Sequence, residues 1–367
     1  MFSMLDDTCS SRPDRFGCQV FVGRRRVAGA ASVVESLRQS LGVASDMTTN
    51  MFWFMSRMAV WQNSPLVVVL EKDNQPAAAV LLYGKQKFGV PTGVIKGGSR
   101  SGDGLVIAAA GQRVAALEAA ASAVLALPWV HTILASMRGA TEPKATTPER
   151  ARIHCAWHTT DVSTDLSLEG GFEGFLSRLR PRSRRNYYYF RRRAERELGV
   201  VFVPDLLPED AAKAVEELHG ASMYSVSRAH SIRLEAAIRQ TPGYFAMGVR
   251  DAAGQWLSYL SGWRQPEGTY VEWQLNRDEL QAASLSTVMR TYFLEHEAAH
   301  GVTRVVFVGG LSAALGRYCA PDSRLDLLAT RRDIRGRIGR ELVTRLRPKG
   351  QVALMLQSAA LVSTGGP

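Results

Sequence analysis

Nine arginines and a single acid lie within residues 178–196, a local charge of +8 in a chain of 367 residues whose formal total is +11. Guanidinium groups grip phosphate oxygens in pairs, so this density points to a phosphate-bearing ligand. Over a helix at residues 183–198, Tyr187, Phe190, Ala194 and Leu198 share one face. Arg185, Tyr189, Arg192 and Arg196 lie on the opposite one. Such a stripe also suits a solvated face, or nucleic-acid binding without catalysis. A second pattern is the strand-like alternation of residues 269–276. It sets Val271, Trp273 and Leu275 on one side and Tyr270, Glu272, Gln274 and Asn276 on the other. A polar side on a central strand is what a substrate cleft needs. A third pattern, His296-Glu297-Ala298-Ala299-His300, matches H-E-x-x-H, in which two His bind zinc and the Glu acts as base. Its third ligand would be Asp322 or Asp326.

The elements that must position these residues repeat in order. Residues 32–62 have helical periodicity; 66–70 and 77–83 are β-type runs separated by the turn cluster Asp73-Asn74-Gln75-Pro76. A third run at 88–95 precedes a glycine-rich stretch at 97–104, a helix ending near 127 and a strand at 129–136. In the second half, strands are expected at 200–204, 244–250, 256–263 and 269–276, with helices at 209–220 and 232–239 between the first two. A helix at 284–300 then leads to a strand at 304–308. The order strand, strand, strand, helix, strand thus occurs twice. Residues 152–168 would link the halves, and His154 and His158 on that segment have a structural role.

Length and composition agree with two α/β domains. The chain is 46% hydrophobic and 22% charged, which excludes disorder, collagen and coiled coil as dominant states. Besides the Arg-rich segment, residues 331–349 carry +6, on a helix with Ile334, Ile338, Leu342 and Leu346 as its stripe; the rest of the chain sums to −3. The four cysteines form no C-x-x-C pair and no disulfide framework. The apolar stretch 105–130 is broken by Arg113 and Glu118, so no membrane span is expected. The first residues lack a secretory pattern, which makes the cytoplasm the expected compartment. The expected division is a flexible basic arm (1–30), a first domain (31–168), a second domain (169–350) and a tail (351–367).

The run Leu179-Arg180-Pro181-Arg182-Ser183-Arg184-Arg185-Asn186, followed by Ala194-Glu195-Arg196 and closing on Gly199-Val200, resembles a family signature. It is similar to that of GNAT-type acyltransferases of the FemAB-like group and of the Fem transferases, which use aminoacyl-tRNA. The resemblance is most specific over residues 171–203 and extends weakly to 308. It implies tandem GNAT-like domains, each a mixed, mainly antiparallel sheet flanked by helices. It also implies transfer of an acyl or aminoacyl group from acyl-CoA or aminoacyl-tRNA to an amine-bearing small molecule or peptide. No metal is needed.

By that resemblance Arg182, Arg184, Arg185 and Arg192 contact donor or acceptor phosphates. Ser284, Leu285, Ser286 and Thr287 form the donor loop, although the stretch lacks the glycines of the usual Q/R-x-x-G-x-G/A pattern. A plain Ser N-cap at Ser284 explains those residues as well. Glu272 occupies the general-base position and Tyr318 that of the tyrosine that protonates the leaving group. Tyr270, Gln274 and Asn276 line the cleft. The residues alone equally allow a solvated glutamate and a packing tyrosine. Zinc hydrolysis and non-enzymatic nucleic-acid binding stand as the alternatives.

Overall fold

The computed structural model describes residues 16–43, 50–60, 62–87, 89–97, 105–138, 153–219, 228–308 and 313–333. Most of the glycine-rich stretch (98–104), most of the second basic segment and the tail at 351–367 lie outside the described residues. The chain opens with β1 (Gly17–Val22), α1 (Arg24–Gly29), α2 (Ala31–Ser40) and α3 (Met51–Val60). β2 (Ser64–Lys72), β3 (Gln75–Lys87), β4 (Val90–Gly97), a short β5 (Val106–Ile107), α4 (Arg113–Leu125) and β6 (Thr132–Arg138) follow. The long β7 (Ile153–Ser167) leads into α5 (Gly171–Arg178), α6 (Pro181–Leu198), β8 (Val201–Val203), α7 (Pro208–Leu218) and α8 (Arg228–Arg239). Next are β9 (Tyr244–Arg250), β10 (Trp256–Gln265), β11 (Gly268–Asn276) and a 3-10 segment (Asp278–Ala283). α9 (Leu285–Ala299), β12 (Arg304–Phe307), α10 (Ala313–Gly316) and β13 (Ala320–Arg331) complete the described chain.

The strands form one continuous hydrogen-bonded path in the order β1-β2-β3-β4-β6-β13-β7-β12-β11-β10-β9-β8, with β5 attached to β3. Each half contains the same unit. β2, β3 and β4 are antiparallel and β6 lies parallel to β4; β9, β10 and β11 are antiparallel and β12 lies parallel to β11. The mixed, mainly antiparallel α/β arrangement in two halves is therefore present.

Local sequence explains the local structure. In β2, Leu66, Val68 and Leu70 pack with Ala116, Leu117 and Ala120 of α4, while Val67 and Val69 pack with Val27, Val34 and Leu37 of α1 and α2. An uninterrupted apolar run is what a strand buried on both faces requires, each such side chain contributing about 1.5–3 kcal/mol. Asp73 and Asn74 both take positive φ, 53° and 59°, and close the β2–β3 hairpin as a two-residue turn. In α6, Pro181 stands at the start and Gly199 stops the helix at φ 57°.

Three expectations are corrected. Residues 17–29, assigned to a flexible arm, form β1 and α1, and β1 pairs antiparallel with β2. Residues 152–168 are not a simple linker: β7 pairs with β12 on one side and with β13 on the other. β13 itself was not foreseen. It inserts between β6 and β7 and sends Leu325, Leu327 and Ala329 into the cluster built on α4 and β2. A division at 168/169 therefore leaves part of the first half's core in the second half of the chain.

Candidate active site

β11 and β12 are paired over a short stretch: Thr269 with Val305, Tyr270 with Val306 and Val271 with Phe307. The ladder ends where the Val308 N–H donates to the Val271 carbonyl at 2.8 Å. β11 continues to Asn276 with no parallel partner among the described residues. An edge opened inside a sheet in this way offers peptide groups to an extended ligand.

The opening coincides with a β-bulge. Pairing between β10 and β11 steps from Ser261 opposite Trp273 to Gly262 opposite Val271, so Glu272 is the extra residue. The alternation expected for residues 269–276 breaks there. Val271 packs with Val288, Met289 and Phe293 of α9, and Gln274 and Asn276 share that side. Tyr270, Glu272, Trp273 and Leu275 turn to the other side, toward α3, α7 and α8. Glu272 and Gln274 are thus on opposite faces, contrary to the alternating pattern. Glycine is required at 262, because a Cβ there would fall on the Tyr270 carbonyl oxygen. Gly262→Ala is expected to lower stability by about 1–3 kcal/mol and to impair activity by displacing the bulge. Urea denaturation together with a turnover assay would detect both effects, and an unchanged urea midpoint would refute them.

On the α9 side the residues expected to form a donor loop are brought together with two of those expected to line a cleft. Gln274 Nε2 donates to the Asn276 side-chain oxygen at 2.9 Å and to the Ser286 carbonyl at 3.3 Å, and Arg290 Nε donates to Gln274 Oε1 at 3.1 Å. Arg290 also lies over the Phe307 ring, 5.9 Å from its centroid, and so bridges β11 and β12. Ser284 precedes α9 with φ 50°; its hydroxyl pairs with Thr287 Oγ1 at 3.0 Å and makes no capping bond to the helix backbone. The expected N-cap is present in position but not in bonding. The first amides of α9 lack a side-chain cap and carry the positive end of the helix dipole. α6 packs along α9 and against the 3-10 segment. Arg191 bonds Glu295 at 2.6 Å, and the Tyr292 hydroxyl donates to Glu195 at 2.7 Å.

The arginines expected to contact phosphate divide. Arg184 donates to the Leu176 and Ser177 carbonyls and closes the end of α5. Arg191, Arg193 and Arg196 pair with Glu195, Glu295 or Glu197. Arg182, Arg185 and Arg192 are exposed and make no hydrogen bond or ion pair among the described residues; Tyr189, beside them on the same stripe, is 53% exposed. Tyr187 is buried edge-on against Phe175, and burial pushes its phenol up to about 12. Tyr318 sits at the amino end of α6. Its hydroxyl is 3.1 Å from Ser183 Oγ and accepts the Arg180 N–H at 3.4 Å. The Ser183 bond and then the Arg180 backbone hold its pKa below the ordinary phenol value.

Glu272 lies on the opposite face, 6% exposed. Arg57 of α3 donates to its Oε1 at 3.1 Å, while Oε2 has no hydrogen-bond partner. Burial raises its pKa, partly opposed by the Arg57 charge. Around it, Tyr270 stacks on Trp263, with centroids 5.6 Å apart, and Trp263 meets Trp53 edge-on at 5.4 Å. No hydrogen bond joins Glu272 to Tyr318 among the described residues. Arg57, Arg290 and Ser183 were not anticipated: Arg57 and Arg290 each interrupt apolar helical faces, a faint signal, and Ser183 reads as a helix-start residue.

The H-E-x-x-H motif has another use. Glu297 is fully buried and accepts from Arg264 at 2.9 Å and from the Thr269 hydroxyl, so it is not available as a base. The His296 and His300 rings lie 4.2 Å apart, and His300 Nδ1 bonds the His296 carbonyl at 2.8 Å. Asp322 and Asp326 lie on β13, and among the described residues no group of three His, Cys, Asp or Glu could hold a metal. Nor is any described helix long and apolar enough to cross a membrane.

Two units of three antiparallel strands, a helix and a parallel strand, the second of them opening beyond its parallel pair, give a tandem GNAT-like α/β fold. Within that class the arrangement is of the FemAB type. FemX superposes with a TM-score of 0.51 at 9% identity, covering 81% of this chain and 95% of that one. L-PGS from Bacillus licheniformis superposes with a TM-score of 0.51 at 9% identity over 86% of this chain and 95% of the other. A tandem GNAT protein from the clavulanic acid biosynthesis pathway aligns over 86% of this chain and 98% of its own, at 13% identity and a TM-score of 0.48. No protein-family model and no curated protein matches the chain.

Proposed function

We propose that the protein is an N-acyltransferase that moves an acyl group from a coenzyme A thioester to an amine. The observation that carries this function is the opened edge of β11 at Glu272, with a buried carboxylate on one face and the uncapped start of α9 on the other. The amides of Leu285 and Ser286 and the hydroxyls of Ser284 and Thr287 suit the donor's phosphates, without the usual glycines. Gln274 and Asn276 orient the donor's pantetheine arm, and the peptide N–H groups of β11 that face the opening polarise the carbonyl. A thioester supplies an activated carbonyl carbon: the neutral amine nitrogen forms the C–N bond, the C–S bond breaks, and the one proton lost by nitrogen balances the one gained by the thiolate. Glu272 accepts the proton leaving the amine, and Tyr318, on the α9 side, supplies the one taken by sulfur.

A second donor, aminoacyl-tRNA, is favoured by one observation: Arg182, Arg185 and Arg192 form an exposed, unpaired stripe with Tyr189. Basic side chains with an interleaved aromatic fit a nucleic-acid backbone and its bases. Replacing the three arginines by alanine is expected to weaken tRNA binding and reduce its log–log salt slope by roughly two to three, at about 0.7–0.9 per phosphate contact. Acetyl-CoA binding should be unchanged. An unaltered salt slope would remove tRNA from consideration. Binding that survives loss of Glu272 and Tyr318 with no turnover of any donor would favour a nucleic-acid-binding protein. Thermal-shift titration with acetyl-CoA and with charged tRNA tests the proposal as a whole, since ligand at 100 times Kd stabilises by about 2.7 kcal/mol. Stabilisation by neither would overturn it.

A further inference from the structure

Arg57 belongs to the first half of the chain and Glu272 to the second, and they meet across the face built by α3, α8 and β11. An ion pair that served only to dock the two halves would be expected to close on itself. The strong arginine–carboxylate arrangement is a fork in which both carboxylate oxygens are used. Here the contact uses only one oxygen. Arg57 Nη2 reaches Oε1 at 3.1 Å, and Oε2 lies buried without a donor. A buried acceptor left in this state carries a desolvation penalty that a charged donor would remove.

Arg57 is also incompletely used. Its side chain is 22% exposed, its guanidinium carbon is 5.7 Å from the Trp53 ring centroid, and its other N–H groups bond nothing among the described residues. The stacked rings of Trp263 and Tyr270 and the edge-on Trp53 line the same region. One small area therefore presents an anion with a free oxygen, a cation with free N–H groups, and an aromatic wall that strengthens both charges by excluding water.

The geometry points to a binding site for a free α-amino acid, its ammonium on Glu272 Oε2 and its carboxylate on the free N–H groups of Arg57. The two free groups belong to a single ion pair, so the ligand's amine and carboxylate must be separated by only one or two bonds. A simple amine satisfies only the Glu272 half. A peptide amino terminus, whose adjacent carbonyl is an amide, also lacks the partner for Arg57. This assignment rests on the acyltransferase proposed above and narrows its acceptor from amines in general to free amino acids, held by one residue from each half.

The test is calorimetric titration of the full chain with each of the twenty common L-α-amino acids. Any that bind are compared with the corresponding decarboxylated amine and N-acetyl derivative. At least one amino acid should bind saturably, with both analogues at least tenfold weaker. Arg57→Met should abolish the preference over the amine, and Glu272→Gln the preference over the N-acetyl form. If Arg57→Met does not fold, Arg57→Lys, which keeps the charge but loses the fork, should still weaken the amino acid severalfold relative to the amine. Equal binding of amino acid and amine, or unchanged selectivity in the Arg57 variant that folds, overturns the assignment. So does the absence of amino-acid binding in a protein that acetyl-CoA or charged tRNA stabilises, and that result leaves the transferase proposal standing. Selective amino-acid binding in a protein stabilised by neither donor supports the site and counts against the transferase.

Discussion

Glu272→Gln is expected to lower the rate of amide formation by about 10²- to 10⁴-fold, the range that a positioned general base contributes. The folded chain should persist, because the amide oxygen still accepts from Arg57 and the arginine remains partly exposed to water. The pH profile gives a separate check. Burial outweighs Arg57 and raises the Glu272 pKa above the usual carboxylate value. Below that raised value the carboxyl is protonated and accepts nothing, so kcat/KM should climb as pH rises through it. This acidic limb should lie above the range of an ordinary glutamate and disappear in the Gln variant. Steady-state kinetics with a fixed amine and donor would measure both effects; a wild-type rate in the variant would exclude Glu272 from the chemistry.

Glu297→Ala should act on the fold and not on the reacting groups. Glu297 has no exposed surface and is the acceptor for Arg264 and Thr269, while Arg264 also lies over the Phe245 ring at 4.7 Å. Removing the buried acceptor leaves the half-buried Arg264 to water and the buried Thr269 hydroxyl without its partner, and the expected loss is about 1–3 kcal/mol. Urea denaturation should show a large fall in midpoint, and a chelator should leave the wild-type midpoint unchanged. A zinc site would reverse both expectations: modest destabilisation from Glu297→Ala and a large effect of the chelator.

Local rules of the chain account for much of this fold. The unbroken run at Leu66–Leu70, the Asp73-Asn74 turn, and Pro181 and Gly199 around α6 each depend on neighbouring residues, so they were legible without coordinates. The site was less so. Glu272, Gln274 and the donor loop could be named from pattern and resemblance. Their faces could not, because the bulge at Glu272 depends on how β10 registers against β11. Arg57 lies more than two hundred positions from its partner, and no spacing along the chain announces that meeting. H-E-x-x-H shows the reverse case, in which a clear local motif is overruled because its glutamate is buried against an arginine from a strand, Arg264 of β10.

β13 has a consequence for the order of assembly. Leu325, Leu327 and Ala329 complete a core whose other walls are α4, β2 and β6, all made before residue 139. During synthesis the first half must therefore remain with β6 and β7 separated until a strand nearly two hundred residues downstream is available to join them. Such long-range closure slows folding, since the entropy of bringing the ends together is lost before any contact is gained. The two halves are in this sense a single folding unit, their cooperativity enforced by one borrowed strand, despite the duplicated plan of their sheets.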